Sequence, residues 1–131
     1  MKTLVAEDDF TGRLLLQTIL STYGECHVAV NGKEALQAFQ SARDSGHPYD
    51  LVCLDIMMPD MDGQESLRRI REIEEAGDAR GLNSVKVIMT TALRDKTNVM
   101  TAFRNLCDAY LVKPVDKALL LDHLRSLALI K

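Results

Sequence analysis

Residues 51–63 read Leu-Val-Cys-Leu-Asp-Ile-Met-Met-Pro-Asp-Met-Asp-Gly. Four apolar residues, the length of a short strand, run directly into Asp55, and Asp62-Gly63 is an ordinary turn signal ahead of a helical pattern. An unpaired charge next to such an apolar run would be costly to bury. The segment therefore predicts a buried strand whose carboxyl end presents a functional acid.

The same alternation of a short apolar run and a longer helical pattern extends to both sides of this segment. Strands are predicted at residues 4–6, 26–30, 51–54, 85–89 and 110–112, and helices at residues 10–23, 32–42, 64–75, 97–106 and 117–129. The predicted helix caps include Asn31, Asp116 and either Asp95 or Thr97.

The strand segments are continuously apolar, which is typical of a parallel sheet covered by helices on both faces. Right-handed crossovers then predict an α/β fold, a doubly wound (βα)5 sandwich of three layers. A chain of 131 residues has room for one domain, which is predicted to span residues 1–131.

The composition excludes several classes of protein. A net charge of −3 without a basic stripe argues against direct nucleic-acid binding. No apolar run approaches the roughly 20 residues of a membrane span, and the N-terminus turns acidic too early for a signal peptide. Cys26 and Cys53 lie in strand segments and are interpreted as reduced core residues. We therefore expect a cytoplasmic protein that contacts neither membrane nor nucleic acid.

Polar side chains gather where the predicted strands end, and ligands of open α/β sheets bind beyond the carboxyl ends of strands. The residues at these ends are Glu7, Asp8 and Asp9 after the first strand, Asp55 after the third, Thr91 after the fourth and Lys113 after the fifth. If strands one and three are neighbours, about 4.8 Å apart, their carboxylates repel unless a cation compensates them. Oxygen ligands favour Mg²⁺, and with a lysine and a hydroxyl nearby the set suits phosphate chemistry in which a carboxylate is the nucleophile.

Apart from Asp55, which follows an apolar run predicted to be buried, each of these signals is weak alone. An acid after a strand often caps the next helix, as Asp9 can, and threonine is common near strand ends. Lysine is usually a solvated surface residue. The strength of the prediction comes from the combination, in which each member follows a different strand.

Together, these residues resemble the receiver domains of bacterial two-component response regulators. The resemblance covers residues 1 to about 129 and is carried by the acidic pair after the first strand, Leu54 to Gly63, Thr91-Ala92, and Tyr110 through Lys113-Pro114. It implies a flavodoxin-like fold with a five-stranded parallel sheet of order 2-1-3-4-5.

The resemblance also implies a phosphoacceptor site. Asp55 would accept a phosphoryl group from a histidine kinase or a phosphotransfer protein. Asp8, Asp55 and the backbone carbonyl of Met57 would hold Mg²⁺, and Glu7 would act through water.

Three further roles follow from the resemblance. Lys113 would contact the phosphoryl oxygens and pair with a carboxylate. Thr91 would turn its hydroxyl toward the phosphoryl group, and Tyr110 would swing inward with it. The Lys113–Pro114 peptide bond would be cis.

Two choices of acidic pair remain open. The family usually carries an arginine five residues after the second acid, and Arg13 stands in that relation to Asp8, which favours Glu7 and Asp8 over Asp8 and Asp9. The same helix phase predicts one core stripe on the first helix: Gly12, Leu15, Leu16, Ile19, Leu20 and Tyr23.

Several apolar residues lie at positions that bear on phosphoryl lifetime or on partner contacts. Met57 and Leu93 occupy the two positions that tune hydrolysis in the family, and neither can orient a water molecule, so we expect a long-lived phosphorylated form. Leu14 lies off the core stripe, either as a donor contact or as an ordinary exposed leucine. The leucines of the last helix form either part of an output or dimer face or a wide core stripe.

The sequence therefore predicts a stand-alone receiver that switches conformation on phosphorylation and controls a partner protein through the fourth helix, fifth strand and fifth helix. It would be a monomer or a weak phosphorylation-dependent dimer, and no enzyme beyond its own phosphorylation and slow dephosphorylation. The alternatives are a phosphorelay intermediate and a phosphorylation-independent interaction module. A phosphate-ester hydrolase is disfavoured because Met57 stands where that chemistry needs a second aspartate.

Overall fold

A computed structural model describes residues 1–77, 84–92 and 96–131, with side chains at all of these except 96–99. The strands are β1 (Thr3–Ala6), β2 (Cys26–Ala29), β3 (Leu51–Asp55), β4 (Lys86–Thr91) and β5 (Ala109–Val112). The helices are α1 (Phe10–Leu20), α2 (Gly32–Asp44), α3 (Gly63–Ala76), α4 (Lys96–Arg104) and α5 (Lys117–Ser126), and a 3₁₀ turn (Ser21–Tyr23) follows α1.

The five strands form one parallel sheet in the order β2-β1-β3-β4-β5. The predicted fold class and strand order are both confirmed. β3 lies at the centre, and all five of its residues are buried. Because β1 and β4 flank β3, the carboxyl ends of these three strands meet at one edge of the sheet.

Two apolar clusters cover the two faces of the sheet. One contains Leu4 and Val52 of the sheet with Phe39 of α2 and Leu67 of α3. The other cluster contains the strand side chains that point to the opposite face of the sheet, and it is covered by α1 and α5. Its sheet and helix members include Val5, Cys53, Ile88, Leu111, Leu16, Ile19, Leu120 and Leu124. The continuous apolar strands thus serve two cores at once.

The helix starts are mostly where the sequence places them. Asn31 caps α2 through Glu34 N, and Asp116 caps α5. Asp62 caps α3, which begins at Gly63, one residue before the prediction. The α4 helix begins at Lys96, so Thr97 lies inside the helix and is not its cap, and the alternative cap Asp95 lies outside the described residues.

Three helix ends were predicted too late, and one of them is that of α4, which ends at Arg104 instead of residue 106. The α1 helix ends at Leu20 instead of residue 23, because the chain tightens into the 3₁₀ turn. The α5 helix ends at Ser126 instead of residue 129, because Ala128 adopts a left-handed conformation with φ of 60°. The apolar residues beyond α5 still pack against the core, so the hydrophobic pattern outlasts the helix.

The predicted core stripe of α1 is correct for Leu16, Ile19 and Leu20, which are buried. Leu15 was wrongly assigned to it, since 40% of its surface is exposed. Leu14 is 49% exposed, as its position off the stripe implied.

The leucines of α5 divide between core and surface. Leu120 and Leu124 are fully buried, whereas Leu119 is 48% exposed. The core stripe is therefore narrower than the alternative of a wide stripe requires, and the output or dimer face stays a prediction.

The three cysteines are free thiols. Burial raises the pKa of Cys53 to about 12, so this thiol stays protonated and unreactive at neutral pH. None of the helices in the described part of the chain combines the length and the apolar character that crossing a bilayer requires.

Candidate phosphoacceptor site

The acidic loop after β1 is fixed by hydrogen bonds to its own backbone. Asp9 caps α1 by accepting a hydrogen bond from Gly12 N at 2.9 Å. Arg13, on the first turn of α1, donates from Nη1 to the carbonyl oxygens of Glu7 at 3.0 Å and Asp8 at 3.4 Å. Asp9 is thus used as a helix cap, while the side chains of Glu7 and Asp8 remain for the site.

Asp55 is the last residue of β3 and is only 4% exposed. Its Oδ1 accepts a hydrogen bond from Met57 N at 3.2 Å. The following loop returns tightly, since Gly63 N donates to Ile56 O at 2.9 Å and a Cβ at position 63 would collide with the Asp55 carbonyl. The loop therefore holds the backbone around Asp55 in one conformation.

Lys113 reaches both carboxylates from the end of β5. Its Nζ lies 2.9 Å from Asp55 Oδ2 and 2.7 Å from Glu7 Oε2. Burial by itself lowers the pKa of Lys113, but the two carboxylates outweigh it and raise the pKa above its ordinary value of 10.5. Lys113 is therefore a permanent positive charge between two buried acids, and the bond joining it to Pro114 is cis, as predicted.

Glu7 is fully buried. Burial raises its pKa above the ordinary value of 4.5, the nearby Asp55 adds to this rise, and contact with Lys113 opposes it. Ionised Glu7 is thus under electrostatic strain that one lysine does not fully relieve.

The carboxylates of Glu7, Asp8 and Asp55 form one cluster, with one oxygen from each lying within 4.8 Å of the others. Asp8 is exposed while the other two are buried, so the cluster opens to solvent on one side. A compact set of three carboxylate oxygens with unrelieved negative charge is the donor set that a hard divalent cation such as Mg²⁺ prefers. The residues present therefore fit the predicted metal.

The other predicted residues in the described part of the chain lie on β4, on β5 and in the loop after β3. Thr91 ends β4 and is fully buried, and its carbonyl accepts a hydrogen bond from Lys113 N at 2.8 Å. Tyr110 is 37% exposed, and its ring packs edge to face on Phe103 of α4, 5.9 Å between centroids. Met57 turns its side chain outward with 61% exposed. Leu93 lies outside the described residues.

Thr90 is a buried residue of this region that the sequence analysis does not single out. It pairs in register with Asp55 across β3 and β4 and is 1% exposed. In the sequence, Thr90 lies next to Thr91, and the hydroxyl role is assigned to Thr91 alone. Strand alternation counted from the apolar residues before it is the signal that could have identified its position.

Comparison with known proteins gives a consistent result. The sequence matches the family described as "Response regulator receiver domain" over residues 3–125. A probable transcriptional regulator, ycf27, of Cyanophora paradoxa is 36% identical over 127 residues, which are 96% of this chain and 47% of the relative. The chain spans less than half of the length of the curated relatives it matches.

Solved structures share the fold over nearly the whole chain. A structure of the CheX-CheY-BeF3-Mg+2 complex from Borrelia burgdorferi is 29% identical with a TM-score of 0.80, covering 100% of this chain and 90% of that one. A second match is a chain of the co-crystal structure of the Saccharomyces cerevisiae histidine phosphotransfer signaling protein Ypd1 and the receiver domain of its downstream response regulator Ssk1. That match is 25% identical with a TM-score of 0.77 over 92% of this chain and 83% of the other.

The family match, the sheet order and the acidic cluster agree with one another. Glu7, Asp8 and Asp55 form a cluster typical of a phosphoacceptor site. The chain belongs to the family of response regulator receiver domains.

Proposed function

We propose that the chain accepts a phosphoryl group on Asp55 in a Mg²⁺-dependent reaction and changes conformation to control a partner protein. The donor would be a histidine kinase or a phosphotransfer protein, and residues 1–131 would act in the cytoplasm as one stand-alone domain. The observation that carries the proposal is the position of the Asp55 carboxylate, which is buried, in contact with Lys113 and within reach of Glu7 and Asp8. A receiver domain is not a classical enzyme, so the phosphorylated protein is itself the product.

The chain's own residues define the transfer step. An Asp55 carboxylate oxygen would form a bond to phosphorus as the bond from phosphorus to the donor nitrogen breaks, giving an acyl phosphate. Lys113 is placed to neutralise charge on the phosphoryl oxygens. Mg²⁺, held by Asp8, Asp55 and the Met57 carbonyl with Glu7 acting through water, would supply further positive charge against the phosphoryl oxygens.

Apolar surface beside the site suits a docking donor. Phe10 is 66% exposed and Leu14 is 49% exposed, and both lie on α1 close to the acidic loop. Docking there would bring a donor histidine to the open side of the carboxylate cluster, where Asp8 is exposed. In the Borrelia and yeast structures the receivers are complexed with CheX and Ypd1, which supports a protein partner for this chain.

The downstream partner protein would bind the surface formed by α4, β5 and α5. Phe103, Tyr110 and Leu119 are exposed on these three elements and together line one shallow pocket. Inward movement of Thr91 and Tyr110 would take Tyr110 away from Phe103 and remodel this surface. Such a switch requires two states separated by only a few kcal/mol.

A phosphorelay role is the second candidate. It is favoured by the likeness to the Ypd1–Ssk1 complex, which contains a histidine phosphotransfer protein. In that case the phosphoryl group would pass from Asp55 to a histidine, and release to a purified phosphotransfer protein would distinguish the two roles.

The apolar Met57 further supports a phosphorylated form that decays slowly without a phosphatase. Loss of label from the isolated phosphoprotein within seconds would contradict this.

Labelling with radioactive acetyl phosphate tests the function without a cognate kinase. Wild type should take up label when Mg²⁺ is present and lose that ability in excess chelator. Asp55→Asn should take up none, while Asp60→Asn, a change in the same loop at a residue with positive φ that asparagine tolerates, should label normally. Equal labelling of wild type and Asp55→Asn would refute the proposal.

A further inference from the structure

Thr90 stands beside the phosphoacceptor on the same face of the sheet. β3 and β4 pair Asp55 with Thr90, and β4 and β5 pair Thr90 with Leu111. Neighbouring strands lie about 4.8 Å apart, and side chains of paired residues point to the same face. Cys53 and Leu111 belong to the cluster closed by α1 and α5, so alternation directs Asp55, Thr90 and Lys113 to that side.

This position places Thr90 beneath the path of Lys113. Lys113 follows β5, whereas its ammonium contacts Asp55 on β3 and Glu7 beyond β1. Because β4 lies between β5 and β3, the lysine side chain crosses β4 on the face that carries Thr90. The side chains two positions earlier on β3 and β4, Cys53 and Ile88, and on β5, Leu111, are apolar, so Thr90 is the residue of β4 that offers a hydroxyl on the face that Lys113 crosses.

The Thr90 hydroxyl makes no stabilising contact within the described part of the chain. Its Oγ1 is buried and has no hydrogen-bonding partner among the residues that the structure describes. A buried hydroxyl without a partner destabilises the fold, and valine would fill the same volume without that cost. Thr3 Oγ1 is in the same condition at the opposite end of the sheet within the described chain, so it provides a matched reference.

We propose that Thr90 is a positioning residue for Lys113, whose hydroxyl accepts a hydrogen bond from the ammonium when a phosphoryl group is bound. The inference rests on the proposed function. In the unphosphorylated protein, two carboxylates hold the ammonium. Phosphorylation converts the Asp55 carboxylate into an acyl phosphate and moves negative charge to the phosphoryl oxygens, so the ammonium has to shift. An acceptor beneath the lysine keeps one N–H bonded during that shift.

The test compares four variants under two assays: the rate of labelling by acetyl phosphate with Mg²⁺, and the affinity for beryllofluoride with Mg²⁺, which needs no chemical step. Thr90→Val and Thr90→Ala should each lower the rate and the affinity by about tenfold, the effect of one hydrogen bond to a charged group. Thr90→Ser should restore both to near wild type. Thr3→Val, which also removes a buried unpartnered hydroxyl, should leave both unchanged.

The outcomes separate the inference from the function on which it rests. Wild-type rate and affinity in Thr90→Val would overturn the inference while leaving Asp55 as the phosphoacceptor. A Thr90→Ser variant as impaired as Thr90→Val would also overturn it, because the methyl group rather than the hydroxyl would then matter. Failure of wild type to label or bind beryllofluoride would refute the proposed function itself, and the inference with it.

Discussion

The ammonium of Lys113 lies 2.9 Å from the carboxylate of Asp55, although 58 positions of sequence separate the two residues. The contact exists because β3 and β5 flank β4 and both end at the same edge of the sheet. The same ammonium also contacts the buried Glu7, 2.7 Å away. One cation thus links three of the chain's strand ends.

Replacing Lys113 by methionine should impair both folding and phosphorylation. The change leaves two buried carboxylates without their cation, and we expect a loss of about 1–2 kcal/mol in the free energy of unfolding, since Lys113 is itself partly exposed. The labelling rate with acetyl phosphate should fall on the order of 100-fold. Because folding raises the pKa of Lys113, the stability that Lys113 contributes is fully present below its ordinary pKa of 10.5. This stability is lost as the pH rises through the folded-state pKa of Lys113.

Urea unfolding and labelling kinetics measure these two effects. Lys33→Met removes a positive charge from the exposed face of α2 and serves as the control, with both quantities near wild type. Similar behaviour of the two variants would contradict the role of Lys113.

Glu7 should make the stability of the metal-free protein depend on acid pH. Its folded-state pKa is raised, so the folded protein binds this proton more tightly than the unfolded chain does. The corresponding stability is present below the ordinary pKa of 4.5 and is lost as the pH rises through the folded-state value. Glu7→Gln should therefore be more stable than wild type at pH 7, with the difference shrinking toward pH 4.5.

Denaturant unfolding in chelator across this pH range provides the measurement. Glu72→Gln, a change of the same type at an exposed position of α3, is the control. A constant offset between Glu7→Gln and wild type at all pH values would be inconsistent with the raised pKa.

Mg²⁺ should stabilise the fold through Asp8 and not through Asp9. At a concentration 100 times its dissociation constant, a bound ion adds about 2.7 kcal/mol, which raises the melting temperature. Asp8→Asn should lose most of this rise because it removes the exposed member of the carboxylate cluster. Asp9→Asn should keep the rise, and because asparagine is as good a helix cap as aspartate, its stability without Mg²⁺ should stay near wild type.

A thermal melt of each variant with and without Mg²⁺ checks this expectation. The result also decides between the two acidic pairs that the sequence leaves open. If Asp9→Asn also lost the stabilisation, the pair would be Asp8 and Asp9, and the assignment of Glu7 and Asp8 would be wrong.

Gly63→Ala should be destabilising, by about 1–3 kcal/mol, because the added methyl group meets the rigid backbone carbonyl of Asp55. Gly77→Ala is the matched control at the end of α3, where the methyl group would meet only the movable end of the Arg43 side chain. Urea titration of both variants gives the comparison. Equal stability of the two variants would show that the loop after β3 is less constrained than its contacts indicate.

The fold was predictable because its signals are local. Five apolar runs, the caps Asn31 and Asp116, and the acids after β1 and β3 can each be read within a few residues. The end of α5 was not predictable in this way. Leu127 and Leu129 continue the apolar pattern because they still pack on the core, and the left-handed residue that ends the helix region is Ala128 rather than a glycine.

The site was predictable as a set of residues but not in its energetics. The sequence identifies Asp55 and Lys113, and the family resemblance favours Glu7 over Asp9. Complete burial of Glu7 and its ion pair with Lys113 depend on strand order and side-chain packing, which no local pattern contains. The position of Thr90 was missed for the same reason, since only the pairing of β3 with β4 places it beside Asp55.

Locating the modified residue shows whether Asp55 is the phosphoacceptor. The protein would be incubated with acetyl phosphate and Mg²⁺, digested under conditions that preserve acyl phosphates, and analysed by mass spectrometry of its peptides. We expect one phosphoryl group, on Asp55, in the peptide that contains residues 51–63. A phosphoryl group on Asp8, Asp60, Asp62 or a histidine, with Asp55 unmodified, would contradict this assignment.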